Sequence, residues 1–178
     1  MNRDVPPSPA RRSMPKGLAA VTAMTLMACF SGQAFADADT IARGESIWKD
    51  KAGCQQCHGW AADGKGGFHH EGHALSLRVT QLTRDQIRMT IQCGRPGTPM
   101  PHFDRFAYTD KRCYDMTAED MGDSVPNDSP TALQPYEIDA LADYIAAKLK
   151  GAGPATRAQC LAYFQGSSGS QCSTYPEN

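Results

Sequence analysis

The chain of 178 residues has little of several features that define common classes of protein. Beyond Ala36 no apolar run is long enough to span a membrane, and no internal repeat is visible. The same part holds 14 Lys and Arg against 18 Asp and Glu, a net charge of −4, which argues against nucleic-acid binding. Strand-like runs are nearly absent, so we predict an all-α protein with little or no sheet.

The N-terminus predicts export through a cleaved signal peptide, residues 1–36. Arg11, Arg12 and Lys16 precede an almost uncharged run at residues 17–30, and the small-x-small sequence AFA follows at residues 34–36. An apolar run of about 14 residues reaches only ~21 Å as a helix, which is short for a hydrocarbon layer of ~30 Å. Cleavage after Ala36 leaves 142 of the 178 residues, enough for one core. We therefore expect a periplasmic protein.

Two variants of this signal remain open. The sequence LMAC, ending at Cys29, resembles a lipoprotein processing site and would leave a lipid-anchored N-terminus. Arg11-Arg12 resembles a twin-arginine signal, which exports folded proteins. The AFA sequence favours the cut after Ala36, and a cofactor attached after export favours the general secretory route. Within the mature chain we predict a main domain at residues 37–150 and a tail at residues 151–178.

Cys54 and Cys57 lie in the run CQQCHGWAADGKGG, which could serve three kinds of site. A structural zinc site needs four ligands, and no second CxxC or HxxxH follows at a suitable spacing. A dithiol redox centre belongs at a strand–helix junction, which a chain without strands lacks. The pattern C-x-x-C-H is typical of covalent haem attachment. Two thiols three residues apart on a helical turn can each bond one vinyl group, and His58 is then held under the iron.

The expected second iron ligand is Met100, 42 residues after His58 in CGRPGTPMPHF. Gly94, Pro96 and Gly97 exclude a regular helix there, and a rigid loop can hold a thioether toward iron. Three other methionines are weaker candidates. Met89 lies in the apolar pattern of a helix, and Met116 and Met121 lie in an acidic segment.

With these motifs the chain resembles the class I cytochromes c, the monohaem His/Met electron carriers of bacterial periplasms. The resemblance covers roughly residues 38–150 and includes ARGESIWKDKAGCQQCHG, DGKGG, LTRDQIRMTI, GTPMPHF and EIDALADYIAAKL, in the family's order. It implies one covalent haem c, bonded to Cys54 and Cys57, with His58 and Met100 as axial ligands. It also implies a small helical globule whose first and last helices cross.

Apolar residues at helical spacing independently predict three helices. They span residues 39–51, 83–92 and 136–150. Asp39 or Thr40 is expected to cap the first, and Thr83 the second. Gly44 costs about 1 kcal/mol inside a helix relative to Ala, so we expect it to permit close approach of the last helix near Tyr144.

The four remaining cysteines of the mature chain are expected to pair. They are Cys93, Cys113, Cys160 and Cys172. Three connectivities are possible, and we favour the one with the shortest loops, Cys93–Cys113 with Cys160–Cys172. Our hypothesis is that the first pair stiffens the loop that carries Met100, whereas the second only holds the tail.

Two segments depart from the family pattern. Residues 103–134, between Met100 and the last helix, are longer than in small members, and residues 115–130 carry acidic but no basic side chains. They predict either a solvated loop or a docking surface for a particular partner. The tail predicts a disulfide-closed appendage, about which the resemblance says nothing.

His69, His70 and His73 form a further cluster. His69 and His73 would share a face if helical, a spacing that can hold a metal. HHEGH matches no zinc-enzyme pattern, and the glycines around it favour a loop. Solvated or propionate-bonding histidines are therefore favoured.

The implied function is one-electron transfer, since an iron with both axial positions filled by protein has no open site for substrate. We expect a carrier that takes electrons from a periplasmic dehydrogenase or quinol-oxidising complex and passes them to an acceptor such as a terminal oxidase. Candidates for steering an acidic partner are Arg95, Arg105, Lys111 and Arg112. The alternatives are a dedicated cytochrome subunit of one oxidoreductase complex, and a haem enzyme in which Met100 dissociates beside His102.

Overall fold

The computed structural model describes residues 37–65, 74–166 and 169–177. The predicted signal peptide, with Cys29, and the histidines at 69, 70 and 73 lie outside these ranges. Within them the regular structure is helical and no strand is formed, in agreement with the predicted all-α class. Two isolated bridges pair His102 with Asp128 and Cys113 with Met116. No helix in the described ranges is both long and apolar enough to cross a membrane.

Seven α-helices occur in the described ranges. They are α1 (Ala38–Ser46), α2 (Gln55–His58), α3 (Arg84–Cys93), α4 (Ala118–Met121), α5 (Pro135–Tyr144), α6 (Arg157–Tyr163) and α7 (Gly169–Cys172). π-Helical turns extend α1 and α5, at Ile47–Lys51 and Ile145–Leu149, and 3-10 turns span Leu77–Val79 and Gly122–Ser124. With these extensions α1, α3 and α5 match the three helices predicted from periodicity to within one or two residues.

The N-termini of α1 and α3 are fixed by side-chain caps. Thr83 caps α3 as predicted, in a capping box with Gln86. The predicted cap of α1 was wrong: Asp37, and neither Asp39 nor Thr40, is the cap, and its Oδ1 accepts a hydrogen bond from Thr40 N at 2.7 Å. This bond lowers the pKa of Asp37, because it favours the charged carboxylate.

The crossing of α1 and α5 forms the centre of the fold. A Cβ at Gly44 would lie 2.2 Å from Ala140 O and 2.6 Å from Tyr144 Cβ, so only glycine fits between the two helices. The predicted close approach near Tyr144 is confirmed. Around the crossing lies the core, which includes Ile47, Trp48, Ile87, Ile91, Phe103, Leu133, Ile138, Leu141, Ile145 and Leu149.

Ion pairs join α3 to α5 at the edge of this core. Arg84 Nε lies 2.7 Å from Asp143 Oδ1, and Arg84 Nη2 lies 2.9 Å from Asp139 Oδ1. Arg88 Nε reaches the same Asp139 oxygen at 2.8 Å. Since the guanidinium groups of α3 face carboxylates one turn apart on α5, charge as well as apolar packing sets the register of the two helices.

Candidate functional site

The C-x-x-C-H sequence forms a single helical turn. Cys54 precedes α2, and its carbonyl accepts hydrogen bonds from Cys57 N at 3.3 Å and His58 N at 2.9 Å. Both thiols are free; Cys54 is partly buried and Cys57 is exposed. Burial raises the pKa of Cys54 to about 12. The predicted haem-bonding thiols and the predicted proximal imidazole therefore lie on one turn of chain.

The imidazole of His58 is oriented by the backbone. Its Nδ1 lies 3.4 Å from Leu75 O, which leaves Nε2 as the nitrogen available to a metal. Burial and then the charge of Arg95 lower the pKa of His58, so the ring is neutral at physiological pH, the form that binds metals. Leu75, whose carbonyl makes this contact, leaves its own side chain 65% exposed.

Trp48 packs beside this imidazole, with ring centroids 6.0 Å apart. Its side chain is only 1% exposed, yet its Nε1 has no hydrogen-bond acceptor among the described residues. A buried N–H without an acceptor costs about 1–3 kcal/mol. An acceptor supplied by a bound group would remove that cost.

Met100 lies in a loop between α3 and the following segment. Its backbone is held on both sides: Met100 N donates to Thr98 Oγ1 and Met100 O accepts from Arg95 N, each at 3.3 Å. Gly94, at the start of the loop, has φ +66, and a Cβ there would lie 2.8 Å from Met100 O and from Pro126 Cβ. The loop therefore has the restricted shape expected of a segment that presents one side chain.

Residues 103–134 brace this loop. Gly97 N donates to Ser124 O at 3.1 Å, and His102 N donates to Asn127 O at 3.0 Å. Near the start of the loop, Tyr114 OH donates to Gly94 O at 2.9 Å. Bonds from several points of the segment therefore fix the Met100 loop, which a freely solvated loop could not do.

Cys93 and Cys113 lie at disulfide distance, with Cα atoms 5.5 Å apart. Both are fully buried, and Tyr108 OH donates to Cys93 O at 2.7 Å. The pair joins the end of α3 to the middle of residues 103–134, with Met100 between its two ends.

Arg95 lies in the Met100 loop, where its N donates to Met100 O at 3.3 Å. Its charge also helps to lower the pKa of His58, after the larger effect of burial. Arg95 is exposed and forms no ion pair among the described residues.

The other predicted steering cations differ in their surroundings. Arg112 is engaged by Asp110 at 2.7 Å and by Asp104 at 3.4 Å. Arg105 lies over the ring of Phe106, with Cζ 5.9 Å from its centroid. Lys111 is exposed near Asp120, whose pKa it helps to lower. Among the described residues Arg95, Arg105 and Lys111 form no ion pair, whereas Arg112 forms two.

His102 is buried, and both of its ring nitrogens have partners. Nδ1 lies 2.9 Å from Asp104 O, and Nε2 lies 3.1 Å from Asp128 Oδ1. An imidazole bonded at both nitrogens braces the segment that follows Met100 and offers no free nitrogen to an incoming ligand.

The sequence did not indicate the contacts between the tail and this site. Trp60, two residues after His58, donates from Nε1 to Tyr175 OH at 2.8 Å. Gln55, within the C-x-x-C-H turn, accepts a hydrogen bond from Tyr163 OH. Cys160 and Cys172 lie at disulfide distance, with Cα atoms 5.5 Å apart. The aromatic residues of the tail could have indicated that it packs against the rest of the chain. The sequence does not indicate which residues they contact.

The donor set fits a haem c. The fit rests on two free thiols beside an imidazole with a free Nε2, on a methionine in a braced loop, and on the buried Trp48 N–H. No cluster of three or more His, Cys, Asp or Glu suited to a bare metal ion occurs in the described ranges. An imidazole and a thioether are the axial ligand pair found on the iron of cytochromes c.

Part of the chain matches a known protein family. Residues 39–118 match the family described as cytochrome C oxidase, cbb3-type, subunit III. The matched range includes the C-x-x-C-H turn and Met100, and it ends before α5 and the tail. No curated protein and no solved structure matches the chain.

Proposed function

We propose that the chain, whose residues 39–118 match the family described above, carries a c-type cytochrome domain and is a one-electron carrier of the periplasm. Cys54 and Cys57 hold one covalent haem c, His58 is the proximal ligand and Met100 the distal one. The single observation that carries the proposal is the C-x-x-C-H turn, with two free thiols beside an oriented imidazole. When bound, the haem supplies reversible one-electron chemistry between ferric and ferrous iron.

The protein's own residues set the conditions for this chemistry. Leu75 O holds the imidazole of His58, as outer hydrogen bonds do for ligating histidines. Met100 provides a soft thioether, which favours ferrous iron and raises the potential relative to a second imidazole. The braces on its loop keep that weak ligand in place. With both positions filled by protein, electron transfer is favoured over turnover of a bound substrate.

The partners are proposed to be a periplasmic dehydrogenase or quinol-oxidising complex as donor and a terminal oxidase as acceptor. Arg95, exposed beside the site, is proposed to steer an acidic partner. Arg95→Gln should lower the rate of electron transfer to an acidic partner at low salt. At high salt the variant and the wild type should transfer electrons at the same rate. Lys148→Gln, which removes an exposed charge from the end of α5, is the matched control and should have a smaller effect.

The test of the proposal is covalent haem. The full chain is expressed in a bacterial host that attaches c-type haem, and the mature protein is purified from the periplasm. After acid–acetone extraction the colour should stay with the protein, and its mass should exceed that of residues 37–178 by one haem. Cys54→Ser/Cys57→Ser should lose both properties. Extractable haem, or none, would rule out the proposal; a mass beginning at Cys29 with lipid would change only the localisation.

A second candidate is a dedicated cytochrome subunit of one oxidoreductase complex. The family description names an oxidase subunit, and residues 103–134 are hydrogen-bonded to the Met100 loop. Gentle extraction of the native cells separates the two candidates. A free carrier should elute at the mass of one chain, whereas a dedicated subunit should co-elute with its oxidoreductase.

A further inference from the structure

The haem-attachment turn is too short to be stable by itself. α2 has four residues, and isolated helices shorter than about 12 residues are marginal in water. Its geometry, and with it the direction of His58, therefore depends on contacts made by other parts of the chain. Gln55, the first residue of α2, makes two such contacts. Its Nε2 donates to Lys49 O at 3.1 Å, and its Oε1 accepts from Tyr163 OH in the tail.

Tyr163 is held in place for this bond. Its ring packs on Trp60 with centroids 5.5 Å apart, and Lys49 Nζ lies 4.5 Å from its centroid. Burial raises the pKa of Tyr163 to about 12, so the hydroxyl keeps its proton and donates throughout the physiological range. A cation over the ring face and an indole beside it leave the hydroxyl little freedom to turn away.

Trp60 is the second point at which the tail meets the site. Its Nε1 donates to Tyr175 OH at 2.8 Å, and the centroids of the Phe164 and Tyr175 rings lie 6.0 and 5.1 Å from its own. Three aromatic rings of the tail thus surround one indole that follows His58 by two residues. The chain just after α2 is fixed by side chains that the family match does not include.

Arg78 ties the base of the tail to the same region. This buried guanidinium donates to Ala61 O at 3.0 Å and to tail acceptors. The tail acceptors are the carbonyls of Ala152, Gly153 and Pro154 and the amide oxygen of Gln159. In the described ranges no carboxylate pairs with Arg78, so these oxygens are what compensate its burial. An anchor of this kind makes the tail a fixed part of the molecule.

We propose that the tail is a component of the haem site, and that Tyr163 and Tyr175 are positioning residues which set the orientation of the attachment turn and of His58. This rests on the proposed function, because it assigns a role toward the same haem. It also revises the hypothesis that the Cys160–Cys172 pair serves the tail alone: a pair that keeps the tail folded keeps Tyr163 against Gln55.

The test uses the full mature protein and the single-oxygen variants Tyr163→Phe and Tyr175→Phe, alone and together. In the ferric protein the hyperfine-shifted haem methyl resonances report the orientation of the axial ligands, and a purely structural role would leave them unmoved. We expect each variant to shift these resonances and to lower the midpoint potential, with the larger change in the double variant. Tyr136→Phe is the matched control, because Tyr136 is exposed on α5 and contacts Arg43.

Covalent haem with resonances and potential equal to those of Tyr136→Phe would overturn this inference and leave the proposed function intact. If the double variant does not fold, the single variants decide, since each keeps its ring and loses one oxygen atom. A wild-type protein without covalent haem would overturn the proposed function and this inference with it.

Discussion

Gly44→Ala tests the helix crossing on which the site depends. The added methyl group would lie 2.2 Å from Ala140 O and 2.6 Å from Tyr144 Cβ, where ordinary contacts begin at 3.4 Å, so α1 and α5 must separate by about 1 Å. Both neighbours are fixed atoms that no rotamer change can move. Overpacking costs about 1–3 kcal/mol, and a clash this close against fixed atoms belongs at the upper end of that range. Alanine's better helix propensity returns about 1 kcal/mol, so we expect a net loss of about 2 kcal/mol.

Urea denaturation of the ferric protein, followed by far-UV circular dichroism, measures this loss. With an m-value of about 2 kcal/mol per M, the midpoint should fall by about 1 M. Ala42→Gly is the control, because this position is exposed on the same helix and loses only helix propensity, about 1 kcal/mol. If Gly44→Ala were as stable as the wild type, or more so, the reasoning from the close approach would be refuted.

Three further predictions concern the site and its support. Met100→Ala should abolish the weak sulfur-to-iron absorption at ~695 nm, and persistence of that band would point to another methionine. Cys93→Ser/Cys113→Ser should raise the cyanide affinity of the ferric protein more than loss of the tail pair does; equal affinities would contradict a guarding role for this pair. Burial raises the pKa of Glu137. Hydrogen bonds from Gln134 N and from Lys51 Nζ, the latter at 2.5 Å, lower this pKa by more than burial raises it. The folded pKa of Glu137 therefore lies below the unfolded value. Its contribution to the free energy of unfolding should therefore be present above pH ~4.3 and be lost as the pH falls, and Glu137→Gln should flatten that dependence in acid titrations.

The helices that the sequence predicted are the longer ones, α1, α3 and α5, each of nine or ten residues before its extension. Gly44 was informative because glycine inside such a helical pattern needs a packing reason. The cap of α1 was missed because two other capping residues, Asp39 and Thr40, follow Asp37 closely. Which of them caps depends on where the backbone leaves the extended conformation, and that is set by packing against α5.

The contacts of the tail could not be predicted from local patterns. Trp60 and Tyr175 are separated by 115 residues, and the Arg78 anchor uses backbone carbonyls, which are alike in every sequence. The same holds for residues 103–134, whose bonds to the Met100 loop are largely between backbone groups. Short elements such as α4 rest on a capping box and one turn, too little for a periodic signal.

The place of the α1–α5 crossing in the chain has a consequence for biogenesis. Gly44 and Ala140 meet across 96 residues, and the C-x-x-C-H turn lies near the beginning of that loop. During export from the N-terminus, the second thiol, Cys57, emerges 78 residues ahead of Pro135, the first residue of α5, and contacts so distant in sequence form late. If haem is attached as proposed, the turn would be accessible to the attaching enzyme before α5 can pack on α1. A chain halted at residue 118 should accept haem yet remain unfolded; failure to label it would show that attachment requires the closed fold.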